Sequence, residues 1–87
     1  MFCIITYDIR QERVGKVCSF LRRYINWVQN SVFEGEISES KILEIKNYLE
    51  TTLDKSVDSV FIYKIRSKDE LSKDIIGIEK ADTSRLI

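Results

Sequence analysis

The sequence contains no histidine. That absence removes His-based acid–base catalysis, the Ser-His and Cys-His nucleophile pairs and the commonest zinc sites. Any hydrolysis on this chain must rest on carboxylates, a bound metal, or lysine and arginine. Proline is absent as well, and there is no repeat, low-complexity tract or linker, so a single domain over residues 1–87 is expected. A glycine-rich phosphate loop, a Cys-x-x-Cys pair, an Asp-x-Asp calcium loop and a His-Glu-x-x-His motif are all missing. The two cysteines, Cys3 and Cys18, fall in an apolar strand and on an apolar helix face, and read as free buried thiols. No stretch is long and apolar enough to span a bilayer. The N-terminus lacks the basic flank and cleavage site of a signal peptide, so a cytoplasmic location with no membrane partner is the expectation.

An excess of either charge is also lacking: the formal net charge is zero, which argues against a general nucleic-acid binder. The distribution is less neutral. Residues 1–33 carry Arg10, Arg13, Lys16, Arg22 and Arg23 against Asp8 and Glu12, while the rest of the chain is correspondingly acidic. Such asymmetry lets one face meet phosphates while the protein stays soluble, although helix surfaces are charged in any case.

What is present begins with Met1-Phe2-Cys3-Ile4-Ile5-Thr6-Tyr7-Asp8, an apolar, β-branched and aromatic run that reads as a buried central strand. It ends on a carboxylate at a strand end, where sites gather; an Asp there also serves as a turn former or helix cap. Alternation puts Tyr7 on the face opposite Asp8, in a packing role. Arg10 to Tyr24 has the spacing of an amphipathic helix, with Val14, Val17, Cys18, Leu21 and Tyr24 or Ile25 inward. Gly15 would allow that helix to approach the sheet closely. Residues 26–37 return to β chemistry, either as a hairpin turning near Gln29-Asn30-Ser31 or as one bent strand. Ser38 or Ser40 caps a second helix whose core stripe is Ile42, Ile45, Leu49 and Leu53. Asp58 to Ile65 is a second apolar, central strand, Arg66 to Lys73 a polar connection, and Ile75 to Glu79 a short last strand.

This order predicts an α+β fold, a ferredoxin-like β-α-β-β-α-β sandwich with an extra C-terminal edge strand. An exposed edge in the 66–87 segment is a candidate for dimerisation. The topology is shared with RNA-recognition motifs, but neither 58–65 nor 28–35 offers their aromatic stacking strand. A ligand-binding regulatory domain of the same fold would need a glycine-rich loop where this chain has Ile9-Arg10-Gln11-Glu12.

Two stretches taken together are specific. The first strand ending in Tyr7-Asp8-Ile9 and the block Val28-Gln29-Asn30-Ser31-Val32-Phe33-Glu34-Gly35 resemble the CRISPR-associated protein 2 family, and Asp58-Ser59-Val60-Phe61-Ile62-Tyr63 resembles its last core strand. The resemblance runs over residues 1–65. It implies a homodimer that bridges dimers of the CRISPR integrase, CRISPR-associated protein 1, during spacer capture. It also implies a Mg²⁺-dependent endonuclease acting on single-stranded RNA or double-stranded DNA. Asp8 would then be the catalytic residue and metal ligand, with two copies facing each other across the dimer axis. Arg13 and Lys16 match the family's basic first helix and would contact phosphates; the alternative is a solvated helix face. Phe33 is read either beside the site, against nucleic acid, or in the core. Trp27 departs from the small or basic residue usual before the Val-Gln pair, which bears on nuclease activity and leaves the structural role untouched. A non-catalytic subunit binding the duplex DNA backbone and the integrase is the alternative function.

Overall fold

The computed structural model describes residues 1–78. The first strand, β1 (Phe2–Asp8), leads into helix α1 (Gln11–Leu21), strands β2 (Asn26–Gln29) and β3 (Val32–Glu36), helix α2 (Glu39–Thr52) and strand β4 (Ser59–Ile65). A single 3-10 turn, Lys68–Glu70, follows. The sheet order is β2-β3-β1-β4 and every neighbouring pair is antiparallel. The chain therefore has the predicted ferredoxin-like plan, with β1 central and both helices crossing one face.

Alternation along β1 assigns the two faces. Ile5 lies opposite Phe33 on one side and Ile62 on the other, and Cys3 and Ile5 are essentially inaccessible. With Val17, Leu21, Ile25, Ile42, Ile45 and Leu49 they make the core under the helices. The helix stripe thus continues through Ile25 rather than Tyr24. Phe20 stacks on Tyr48 at 3.8 Å, joining α1 to α2 by a ring contact. Ile4, Thr6 and Asp8 point to the other face, where Thr6 pairs with Phe61 and Ile4 with Tyr63. Phe61 is 57% and Tyr63 51% exposed there.

Local chemistry explains most boundaries. Asn30 and Ser31 form a two-residue turn, so residues 26–37 are a hairpin, with an irregularity between Trp27 and Gln29. Ser38 caps α2 by accepting from the Lys41 N–H at 3.3 Å. Helix α1 is shorter at both ends than its spacing predicts, because Arg10 is the cap residue and 22–24 form turns. Gly15 lies exposed, and a Cβ there would meet nothing within 4 Å, so it serves no close approach to the sheet.

The C-terminal segment departs from expectation. Residues 71–78 contain no strand; the predicted strand from 75 is missing as far as 78, and Glu79 lies outside the described residues. Gly77 sits at φ +102, a left-handed conformation incompatible with an extended strand, and Ile76 is fully exposed. The segment instead returns across the open face of β2 and β3. Lys73 ion-pairs with Glu34, and Ile75 and Ile78 help to line a groove of about 360 Å³ with Val28 and Val32.

Candidate functional site

Asp8 is the last residue of β1, paired in register with Ser59 and exposed on the open face of the sheet. It is not the cap of α1: Arg10 holds that position, and no side chain caps the helix from there. The strand end is fixed on both sides of Asp8. Before it, the Tyr7 N–H donates to the Ser31 carbonyl at 3.1 Å. After it, the Arg10 N–H donates to Asp58 Oδ1 at 2.9 Å.

Asp58 is the residue that sequence reasoning missed, having been read only as the first residue of an apolar strand. It is the one buried charged residue of the described chain, 7% exposed, at the mouth of β4. Its carboxylate accepts four hydrogen bonds. Oδ1 takes the Arg10 N–H and Arg13 Nη2 at 3.1 Å; Oδ2 takes Arg13 Nε at 2.6 Å and the Asp54 N–H at 3.0 Å. The guanidinium hydrogen bond from Arg13 and those two backbone N–H groups hold the Asp58 carboxyl well below the ordinary carboxylate range, against the opposing effect of burial. An anion beside the first turn of α1 is favoured by the helix dipole as well, and it satisfies the cap residue's N–H as a capping-box carboxylate would. The sequence signal was an Asp among apolar residues, which needs a partner when buried. Naming Arg13 as that partner required the fold.

The other predicted residues separate. Arg13 is not a free cation: its fork is occupied by Asp58, with Glu12 at 3.9 Å on the outside. Lys16 is exposed on α1, and its carbonyl accepts from the Tyr48 hydroxyl at 3.4 Å. Phe33 is fully buried, its ring 5.8 Å from that of Tyr7, so the expectation that it meets nucleic acid is corrected: it is a core residue. Tyr7 turns to the helix side. Its hydroxyl donates to the Asn30 carbonyl at 2.6 Å and accepts from the Cys18 thiol at 3.3 Å. Burial, then Cys18, pushes the Tyr7 pKa up to about 12. Trp27 directs its indole N–H toward the same Asn30 carbonyl at 3.5 Å, and Arg22 lies over its ring at 5.4 Å.

Among the described residues no three His, Cys, Asp or Glu side chains cluster as a metal site. At the end of β1 one chain thus presents the exposed Asp8 carboxylate without two further ligands gathered beside it. Mg²⁺ is commonly held by one or two carboxylates and completes its shell with water and phosphate oxygens. The donor chemistry fits that ion only when a second carboxylate or a nucleic acid is supplied from outside the chain. No helix among the described residues is long and apolar enough to cross a membrane.

Comparison with known proteins agrees with this architecture. The family model described as CRISPR associated protein Cas2 matches residues 1–72. A protein of Thermodesulfovibrio yellowstonii named CRISPR-associated endoribonuclease Cas2 3 is 49% identical, covering 99% of this chain and 98% of its own. One from Methanosarcina acetivorans named CRISPR-associated endoribonuclease Cas2 is 47% identical over the whole of both chains. A solved structure described as the crystal structure of cas2 superposes with a TM-score of 0.84 at 37% identity, covering 93% of this chain and 91% of that one. Sequence and fold thus agree over most of the chain's length, and the chain belongs to the CRISPR-associated protein Cas2 family.

Proposed function

We propose that this protein is a CRISPR adaptation subunit that acts as a homodimer and hydrolyses phosphodiester bonds, with a facing pair of Asp8 carboxylates holding Mg²⁺. The single observation that supports it is the placement of Asp8: exposed, at the end of the central strand, and fixed by neighbours on both sides. Asp8 shares its face with Ile4, Thr6, Phe61 and Tyr63, an exposed apolar surface of the kind that marks an interface between chains. Two copies meeting on that face would bring their Asp8 residues together and exclude water around them.

Each Asp8 would donate oxygen ligands, and the cation would offset the repulsion between the two carboxylates. When bound, Mg²⁺ supplies an activated water and neutralises charge on the phosphate, chemistry that needs no histidine. Lys16, exposed one helix turn and more beyond the strand end, would hold the nucleic-acid backbone. Single-stranded RNA is the first substrate to try, since the relatives carry endoribonuclease in their names; double-stranded DNA is the second.

A non-catalytic reading is favoured by one feature: among the described residues no three His, Cys, Asp or Glu side chains gather around Asp8 or elsewhere as a ready metal site. In that reading the dimer bridges integrase dimers and binds duplex DNA through its backbone. Asp8→Ala distinguishes the two. It is expected to lower Mg²⁺-dependent cleavage of RNA by at least about 100-fold while leaving spacer integration intact. Unchanged cleavage would remove Asp8 from catalysis. Light scattering is expected to give about twice the 10.2 kDa chain mass at micromolar concentration, and a monomer there would end the facing-pair arrangement.

A further inference from the structure

Most of the charged residues described are exposed, whereas Asp58 is buried and Arg13 largely covered. The carboxylate of Asp58 is closed from solvent, and the Arg13 side chain is only 19% exposed. Burying an ion pair is weak as a way to gain stability, since desolvation offsets most of the attraction. Its value lies in geometry: four donors converge on two oxygens, and a carboxylate with every lone-pair direction in use has one orientation. Three of those donors come from the segment that begins two residues after Asp8: the Arg10 N–H and two nitrogens of Arg13. The remaining donor is Asp54 N–H, which holds Asp58 to its own loop. Asp58 also precedes Ser59, the register partner of Asp8. The same two-residue unit, 58–59, therefore grips the chain at Asp8 by the strand ladder and at Arg10 by the carboxylate.

We infer that Asp58 and Arg13 form a positioning pair that fixes the Asp8–Arg10 strand end, so that the Asp8 carboxylate is presented at a set height and angle on the open face. This rests on the reading of Asp8 given above. It assigns Arg13 to the support of the site and leaves contact with phosphate to exposed cations such as Lys16.

The test uses the full chain with Asp8→Asn, Asp58→Asn, their double variant, Arg13→Gln and Arg13→Lys, each checked for folding by its melting curve. Asp58→Asn keeps an acceptor for the Arg10 N–H but turns a donor toward Arg13. It is expected to lower kcat for RNA about 10- to 100-fold with little change in KM, the usual effect of losing a group that orients a metal ligand. Added to Asp8→Asn, it should lower kcat no further, since there is no ligand left to orient. Arg13→Lys should not rescue Arg13→Gln, because an ammonium cannot reproduce the fork.

Two further measurements are made without metal or turnover. Amide exchange at Arg10 should speed up in Asp58→Asn. The salt dependence of RNA binding in EDTA should keep its slope in Arg13→Gln. A slope reduced by about 0.7, restored by lysine, would make Arg13 a phosphate contact and overturn the inference. A folded Asp58→Asn with wild-type kcat would overturn it too. If Asp58→Asn fails to fold, Arg13→Lys carries the decision through its kcat and salt slope. Should Asp8→Asn cleave as well as the wild type, the reading of Asp8 itself fails and the positioning inference falls with it, a result separable from failure at Asp58 alone.

Discussion

The two sides of the sheet treat the same residue types in opposite ways. Phe33 on the helix side is fully buried, and Phe61 on the open side is 57% exposed. Asp58, facing α1, has four donors on its carboxylate, whereas Asp8, one position along the neighbouring strand's register, is exposed. Among the described residues no buried side-chain nitrogen or oxygen lacks a hydrogen-bond partner, so substitution on the covered side should be read in stability. On the open side Asp8, Phe61 and Tyr63 are exposed, so under the proposed function substitution there should be read in association and chemistry. A carboxylate with all its hydrogen bonds made inside the chain is structural; an exposed one at a fixed strand end is available for ligands.

The largest expected effect lies on the covered side. Phe33→Ala removes a fully buried ring from between Ile5, Tyr7 and Trp27 in the sheet layer and should destabilise the chain by about 3–5 kcal/mol. That approaches the whole stability of a small domain. Denaturant unfolding checks it, and a loss under about 1 kcal/mol would show that Phe33 is not the centre of the core.

Acid sharpens the contrast between the carboxylates. The folded Asp58 pKa is depressed, so its contribution to stability is complete above the ordinary carboxylate pKa and is lost as pH falls through the lower folded value. Asp54 and Glu50 shift in the same direction, Asp54 through Ser56 and Glu50 through Lys55. Melting temperature should therefore be nearly flat from pH 7 down to about pH 4 as far as these groups are concerned, and fall below it. Asp58→Asn should melt lower, on the order of 10 °C at neutral pH, and lose part of the acid slope. An Asp58→Asn curve parallel to the wild type below pH 4 would mean that the Arg13 pair contributes nothing to acid sensitivity.

Much of the covered side was legible in the sequence because it obeys periodicity. Cys3, Ile5 and Val17, Leu21 fall where alternation and the helical stripe put them. The choice between hairpin and bent strand at 26–37 was not legible, since it turns on the Asn30-Ser31 backbone, anchored by Tyr7 from another strand. Nor was the fate of 75–78, where an apolar run looks like a strand until Gly77 takes a left-handed conformation. The exposed place of Asp8 at the end of the first strand was legible from where the apolar run stops, but position alone did not separate a ligand from a turn or cap residue. Arg13 was recognised as a basic residue near that end, but a positive charge on a helix does not say whether it points to solvent or to a carboxylate 45 residues away. Phe33 was recognised as part of a motif whose aromatic turned out to support the fold.

The smallest effect on the chain's own stability is expected at Phe61, and it is the one that bears most directly on the open side. Phe61→Ser removes a ring that stands 6.4 Å from that of Tyr63 and covers none of the buried core. At high dilution, where association does not contribute, unfolding should change by no more than about 0.5 kcal/mol. At micromolar concentration the difference should be large. Wild-type melting should rise with protein concentration, as it does when the folded state is dimeric. The variant should lose that dependence and sediment at the 10.2 kDa chain mass. Because Phe61 pairs with Thr6, two residues from Asp8 on the same face, separating the chains should also separate the two carboxylates. Phe61→Ser should then lose Mg²⁺-dependent cleavage although Asp8, Asp58 and Arg13 are all in place. A variant that remains dimeric would move the interface off this face. One that becomes monomeric and still cleaves would mean a single Asp8 suffices, and the covered and open sides would differ in stability alone.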